Sequence, residues 1–130
     1  MRFMILMRGD EAAETGQLPS DEIINEMQRF NDDLVKAGVL LVAEGLRPTS
    51  HGARVHLRGG GRTTVTDGPF AEAKEVIAGF WIIQVRSKEE AVEWVKRMPN
   101  PEGQDMVVEL REIFDMDDFA TELAAEGRSL

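Results

Sequence analysis

Residues 78–86, Ala-Gly-Phe-Trp-Ile-Ile-Gln-Val-Arg, place large apolar side chains on both faces of any strand they form. Side chains alternate across a sheet, so Phe80 and Ile82 face one way while Trp81 and Ile83 face the other. An antiparallel sheet can leave one face in water when that face is polar. Neither face qualifies here, so both need a cover. Residues 2–8 repeat the demand, with Phe3, Ile5 and Met7 on one side and Met4 and Leu6 on the other. A chain of 130 residues supports one core, so a single domain is expected over 1–130, with 115–130 as a helical extension.

The remaining elements follow from period and punctuation. Residues 10–19 are polar and irregular and read as a loop. Ser20 caps a helix whose apolar stripe is Ile23, Met27, Phe30 and Leu34, and Gly38 terminates it. A second strand covers 39–46, and Pro48 stops it. Residues 54–58 alternate, with Val55 and Leu57 on one face and Arg54, His56 and Arg58 on the other. Gly59-Gly60-Gly61 turns the chain into a return strand at 63–66, giving a hairpin with one wet face. The strand at 78–86 is followed by a capping box, Ser87 with Glu90. The stripe Ala91, Trp94, Val95 and Met98 marks the second helix, which Pro99 ends. A last strand spans 106–113. A short helix spans 117–126, anchored by Phe119 and Leu123. Met1, Met4 and Met7 are read as core packing.

With the hairpin and the tail set aside, the order is β-α-β-β-α-β, the ferredoxin-like pattern of an α+β fold. Its helices cover one sheet face. A C-terminal helix of about ten residues is short for the other, so a second copy is expected there, as a two-fold homodimer with a barrel-like core.

Composition removes several functions. There is no cysteine, which excludes disulfides, thiolate metal sites and cysteine nucleophiles. The net charge of -9 repels phosphate backbones, so no nucleic-acid partner is expected. No run approaches a membrane span, and the five apolar residues between Arg2 and Arg8 are too few for a signal peptide. A cytoplasmic protein is expected. Gly59–Gly61 is not a phosphate loop, because no helix with a Lys-Ser or Lys-Thr pair follows it. Gly-x-Ser-x-Gly and His-Glu-x-x-His are absent. No cofactor or metal is expected.

The most distinctive stretch is Asp67-Gly68-Pro69-Phe70 followed by Ala71-Glu72-Ala73-Lys74-Glu75. Gly68 precedes a proline and is expected to be extended. Asp67 admits two readings: a carboxylate accepting backbone amides in the turn, or a general acid/base at a cavity mouth. The stretch resembles the signature of the DGPF branch of the YCII-related proteins. Met4–Glu11, Glu44-Gly45-Leu46-Arg47-Pro48, Gly79-Phe80-Trp81 and Glu90–Trp94 also match in style, so the resemblance covers roughly residues 1 to 114. It implies a dimeric α+β barrel of ferredoxin-like topology. It implies little about activity, since such proteins are mostly uncharacterised and some are linked to extracytoplasmic-function sigma factors. Other YCII-like proteins have a proposed His-Asp pair with the histidine on the first helix. Residues 20–36 hold no histidine here, so only Asp67 is carried over, as the candidate catalytic residue.

Glu44, Arg47, His56 and Lys74 are the candidate substrate contacts. Glu44 lies among apolar neighbours, where a buried carboxylate needs a partner such as Arg47, Arg54 or Lys74. Arg47, Arg54, Arg58 and Arg62 form a cluster that suits a small anion or a salt-bridged surface. His51 and His56 are an odd number apart, which opposes them on a regular strand and argues against a two-histidine metal site. Lys74 and Glu72 share a face if the segment is extended. Two functions stay open: an acid/base enzyme acting on a small organic molecule, and a non-catalytic metabolite-binding or regulatory dimer. In the second, the acidic stretch Asp115–Phe119 would dock a basic protein partner.

Overall fold

The computed structural model describes residues 1–70 and 76–130. The elements run β1 (Arg2–Arg8), α1 (Glu11–Glu14), α2 (Asp21–Lys36), β2 (Leu40–Gly45), β3 (Ala53–Leu57), β4 (Thr63–Asp67), β5 (Ile77–Gln84), α3 (Lys88–Lys96), β6 (Val108–Glu112) and α4 (Met116–Ala125). Four strands form one antiparallel sheet in the order β2-β5-β1-β6. That order is the ferredoxin-like arrangement expected of β-α-β-β-α-β. β3 and β4 pair only with each other, as a separate two-stranded sheet.

The central pair β1 and β5 aligns Phe3 with Ile83 and Ile5 with Trp81. These side chains face the helices and form the core with Phe30 and Leu34 of α2, Ala91 of α3, and Met98. Ile5, Leu34 and Ile83 are completely buried. Such side chains contribute roughly 1.5–3 kcal/mol each by leaving water. Trp81 meets Phe30 edge-on at 5.9 Å, and its indole N–H donates to Asn31 Oδ1 at 2.7 Å. The one polar atom of that large core side chain is therefore satisfied.

Local signals set the helix ends. Ser20 Oγ accepts from the Ile23 N–H and Ser87 Oγ from the Glu90 N–H. Glu90 returns the contact one residue earlier than a standard capping box, accepting from the Arg86 N–H at 2.9 Å. Gly38 adopts a positive φ of 72° after α2. Three readings are corrected. Residues 11–14 are helical, because Asp10 accepts from the Ala13 N–H at 2.7 Å and caps a turn of good helix formers. Met1 is exposed and outside the core, although its amino group donates to the Val85 carbonyl. Phe119 stays partly exposed against Phe114, leaving Leu123 as the buried anchor of α4.

The second face of the four-stranded sheet has an apolar centre and a charged rim. Met4 sits opposite Ile82, and Leu6 opposite Phe80, all half-buried. β2 adds Val42 and Glu44 beside Ile82 and Phe80, and β6 adds Glu109 and Arg111 beside Leu6 and Met4. Glu44 is exposed on this rim rather than buried among apolar neighbours, because edge strand β2 leaves its outer face open. No helix among the described residues is long and apolar enough to cross a membrane.

Candidate functional site

The chain leaves β4 at Asp67 and turns back through Gly68-Pro69-Phe70 toward β5. The Gly68–Pro69 peptide bond is cis. This turn docks on the short helical turn Thr49–His51, and glycine is required for the fit. A Cβ at Gly68 would fall inside the Thr49 carbonyl, which is backbone and cannot rotate away. The Gly68 N–H donates to the Gly52 carbonyl at 3.0 Å. The Phe70 N–H donates to Thr49 Oγ1, also at 3.0 Å.

Thr49 is in turn held by Glu14. One carboxylate oxygen accepts from the Thr49 N–H at 3.0 Å, and the other accepts from its hydroxyl. Glu14, Thr49 and Phe70 thus form one relay across three segments of the chain. An ionised acceptor makes its bonds to Thr49 stronger than neutral ones. Glu14 and Thr49 were missed in the sequence, being 35 residues apart with no shared motif. The available clue was Asp10 ahead of Glu11-Ala12-Ala13-Glu14, a cap followed by helix formers.

Asp67 is exposed, and its carboxylate accepts no hydrogen bond among the described residues. Among the described residues, the turn's hydrogen bonds run through Gly68, Phe70 and Thr49. Register separates Asp67 from the histidine candidate. Asp67 pairs with Ala53, Thr66 with Arg54, Val65 with Val55, and Thr64 with His56. Alternation places Arg54, His56, Thr64 and Thr66 on one face of the hairpin, and Val55, Val65 and Asp67 on the other. His51 lies in the Thr49–His51 turn, so no regular strand relates it to His56.

The expectation of one wet hairpin face is corrected: both faces are exposed. Val55, Val65 and Leu57 are 57%, 64% and 79% exposed, because the hairpin pairs with no strand of the main sheet. On the polar face, a cleft of about 520 Å³ is lined by Arg54, Val55, His56, Thr66, Pro69 and Phe70. The Arg54 guanidinium lies over the Phe70 ring, 4.0 Å from its centre.

Glu44 and Arg47 lie at and just beyond the end of β2, a strand of the other sheet, and both are exposed. Lys74 and Glu72, with the rest of residues 71–75, lie outside the described residues. Asp117 and Asp118 of the acidic tail occupy the first turn of α4, where they complement the helix dipole. No group of three or more His, Asp or Glu side chains among the described residues is arranged to hold a metal ion.

The family model of the YCII-related domain matches residues 1–117. The uncharacterised protein R00369 of Rhizobium meliloti (strain 1021) is 29% identical over 102 residues, which span 77% of this chain and 82% of that one. Among solved structures, 5-chloro-2-hydroxyhydroquinone dehydrochlorinase (TftG) from Burkholderia phenoliruptrix AC1100, in complex with 2,5-dihydroxybenzoquinone, aligns over 91% of this chain and 99% of its own. The TM-score is 0.47 and the identity 14%.

Proposed function

The chain belongs to the YCII-related domain family, and from that premise we propose a cytoplasmic homodimeric enzyme of the DGPF branch. It acts on a small organic molecule by acid/base chemistry, with Asp67 as the proton-transferring group. One observation carries this reading. In Asp67-Gly68-Pro69-Phe70, the backbones of Gly68 and Phe70 are engaged by the turn, while the Asp67 carboxylate has no hydrogen-bond partner among the described residues. A charge retained where the fold does not use it is what selection for function leaves behind.

The homodimer is supported by the second sheet face, whose apolar centre and charged rim have the anatomy of a protein interface. Pairing that face with its copy would cover Met4, Leu6, Phe80 and Ile82 and close a barrel. A second chain near the open strand ends would also exclude water around a carboxylate, the environment that tunes such a group for proton transfer. Glu44 and Arg47, at the end of β2, would line the same mouth.

A second reading is a non-catalytic metabolite-binding or regulatory dimer linked to a sigma-factor system. The observation favouring it is that Asp67 and His56 occupy opposite hairpin faces, so these candidates do not converge within one chain.

Two measurements test the proposal. Sedimentation at micromolar concentration should give a dimer, and a monomer there removes the barrel mouth. Unfolding of Asp67→Asn against wild type, at one protein concentration because dimers unfold with mass action, should show no loss of stability. A loss of roughly 2 kcal/mol or more would assign the carboxylate to the turn and remove the acid/base reading.

A further inference from the structure

Segment 45–66 is chemically unlike the rest of the chain. It holds Arg47, Arg54, Arg58 and Arg62 with His51 and His56, and no aspartate or glutamate, in a protein of net charge -9. Its hairpin projects from the main sheet with every residue of β3 and β4 exposed. Clustered cations on an otherwise acidic molecule repel one another and gain most from an anion.

The polar face of that hairpin is more than a solvated charge run, because its Arg54 side chain is placed. The guanidinium stacks on Phe70, and the Phe70 backbone is tied through Thr49 to Glu14. An arginine stacked on an aromatic ring keeps its N–H edge free for a planar acceptor. His56 follows on the same face, and Thr66 stands directly opposite Arg54. Pro69 supplies apolar wall, and the cleft of about 520 Å³ suits a small molecule.

We propose that the Arg54-His56-Thr66-Phe70 cleft is a binding site for a small organic carboxylate. The carboxylate is held edge-on by Arg54 with help from Thr66 and His56, and its apolar body lies against Pro69. The site is on the hairpin face opposite Asp67, so this inference goes beyond the acid/base reading and does not depend on it.

The chain has only two histidines, so proton NMR of the imidazole C–H signals gives a local readout. Benzoate serves as the probe. Titration into the wild-type protein should shift the His56 signal saturably and leave His51 nearly still. Arg54→Gln should weaken the apparent affinity about tenfold, the scale of losing one charge-assisted paired contact, while unchanged β1 and β5 amide signals show that the fold is intact. Arg111→Gln, on the second face of the main sheet, should bind as wild type. Benzamide, neutral and of the same shape, should produce no comparable shift. Asp67→Asn should retain benzoate binding whatever happens to the acid/base reading. A His56 signal unmoved by benzoate overturns the proposal. So does an affinity indifferent to Arg54→Gln, or inorganic phosphate matching benzoate, which would reveal a cationic surface without a carboxylate site.

Discussion

The molecule contains two antiparallel sheets with opposite relations to water. The four-stranded sheet buries Phe3, Ile5, Trp81 and Ile83 beneath α2 and α3. The hairpin β3–β4 alternates apolar and polar side chains correctly, yet leaves both faces exposed. The strands of both sheets carry branched residues, so propensity does not separate them. What separates them is whether something packs on the face that the pattern offers. An isolated two-stranded ribbon is marginal in water. This one is fastened at its base by a relay running from Glu14 through Thr49 to Phe70. The core sheet is held by burial, and the hairpin base by hydrogen bonds and one close backbone approach.

That contrast can be broken most severely in the core. Ile5→Ala should cost about 2–5 kcal/mol, since a completely buried side chain leaves a cavity that a packed sheet fills poorly; urea unfolding at fixed protein concentration measures it. At the hairpin base, Gly68→Ala should cost about 2–3 kcal/mol, in the range of backbone-strain substitutions. The new Cβ must displace the Thr49 backbone. Its signature should be local, with β3 and β4 amides losing hydrogen-exchange protection while those of β1 and β5 keep it.

Thr49→Val should cost about 1–2 kcal/mol. It keeps the shape but leaves the Phe70 N–H and one Glu14 oxygen without their hydroxyl partner. If Glu14→Gln in that background adds little, the two residues act as one unit. Asp67→Asn is the smallest expected effect, within about 0.5 kcal/mol, since Asp67 is exposed and has no hydrogen-bond partner among the described residues. The pair Thr49→Val and Asp67→Asn sharpens the contrast most directly: the residue outside the motif should matter to the fold, and the charged residue inside it should not.

Much of this was legible in advance because it depends on neighbours in the chain. Ser20, Ser87 and Gly38 act within a few residues of themselves, and the Phe30-Leu34 stripe needs only the helical period. The strand order followed from β-α-β-β-α-β and the rules of connection. Helix α1 was missed because four residues are too short for a period to show, and its cap was the only signal. The candidate site was less legible. Asp67 stands out by its motif and closes β4. Its separation from His56 depends on which residue of β3 meets which residue of β4.

By itself the sequence determined the ferredoxin-like pattern, the helix ends and the demand for cover on both sheet faces. Each is set by short-range sterics and by the alternation of polar and apolar side chains. Only the tertiary structure decided that Glu44 stands on an exposed rim, and that Gly68 is glycine because the Thr49 carbonyl lies against it. It also decided that Arg54 rests on Phe70. These are contacts between residues far apart in the chain, and no local period encodes which distant surfaces will meet when the core closes.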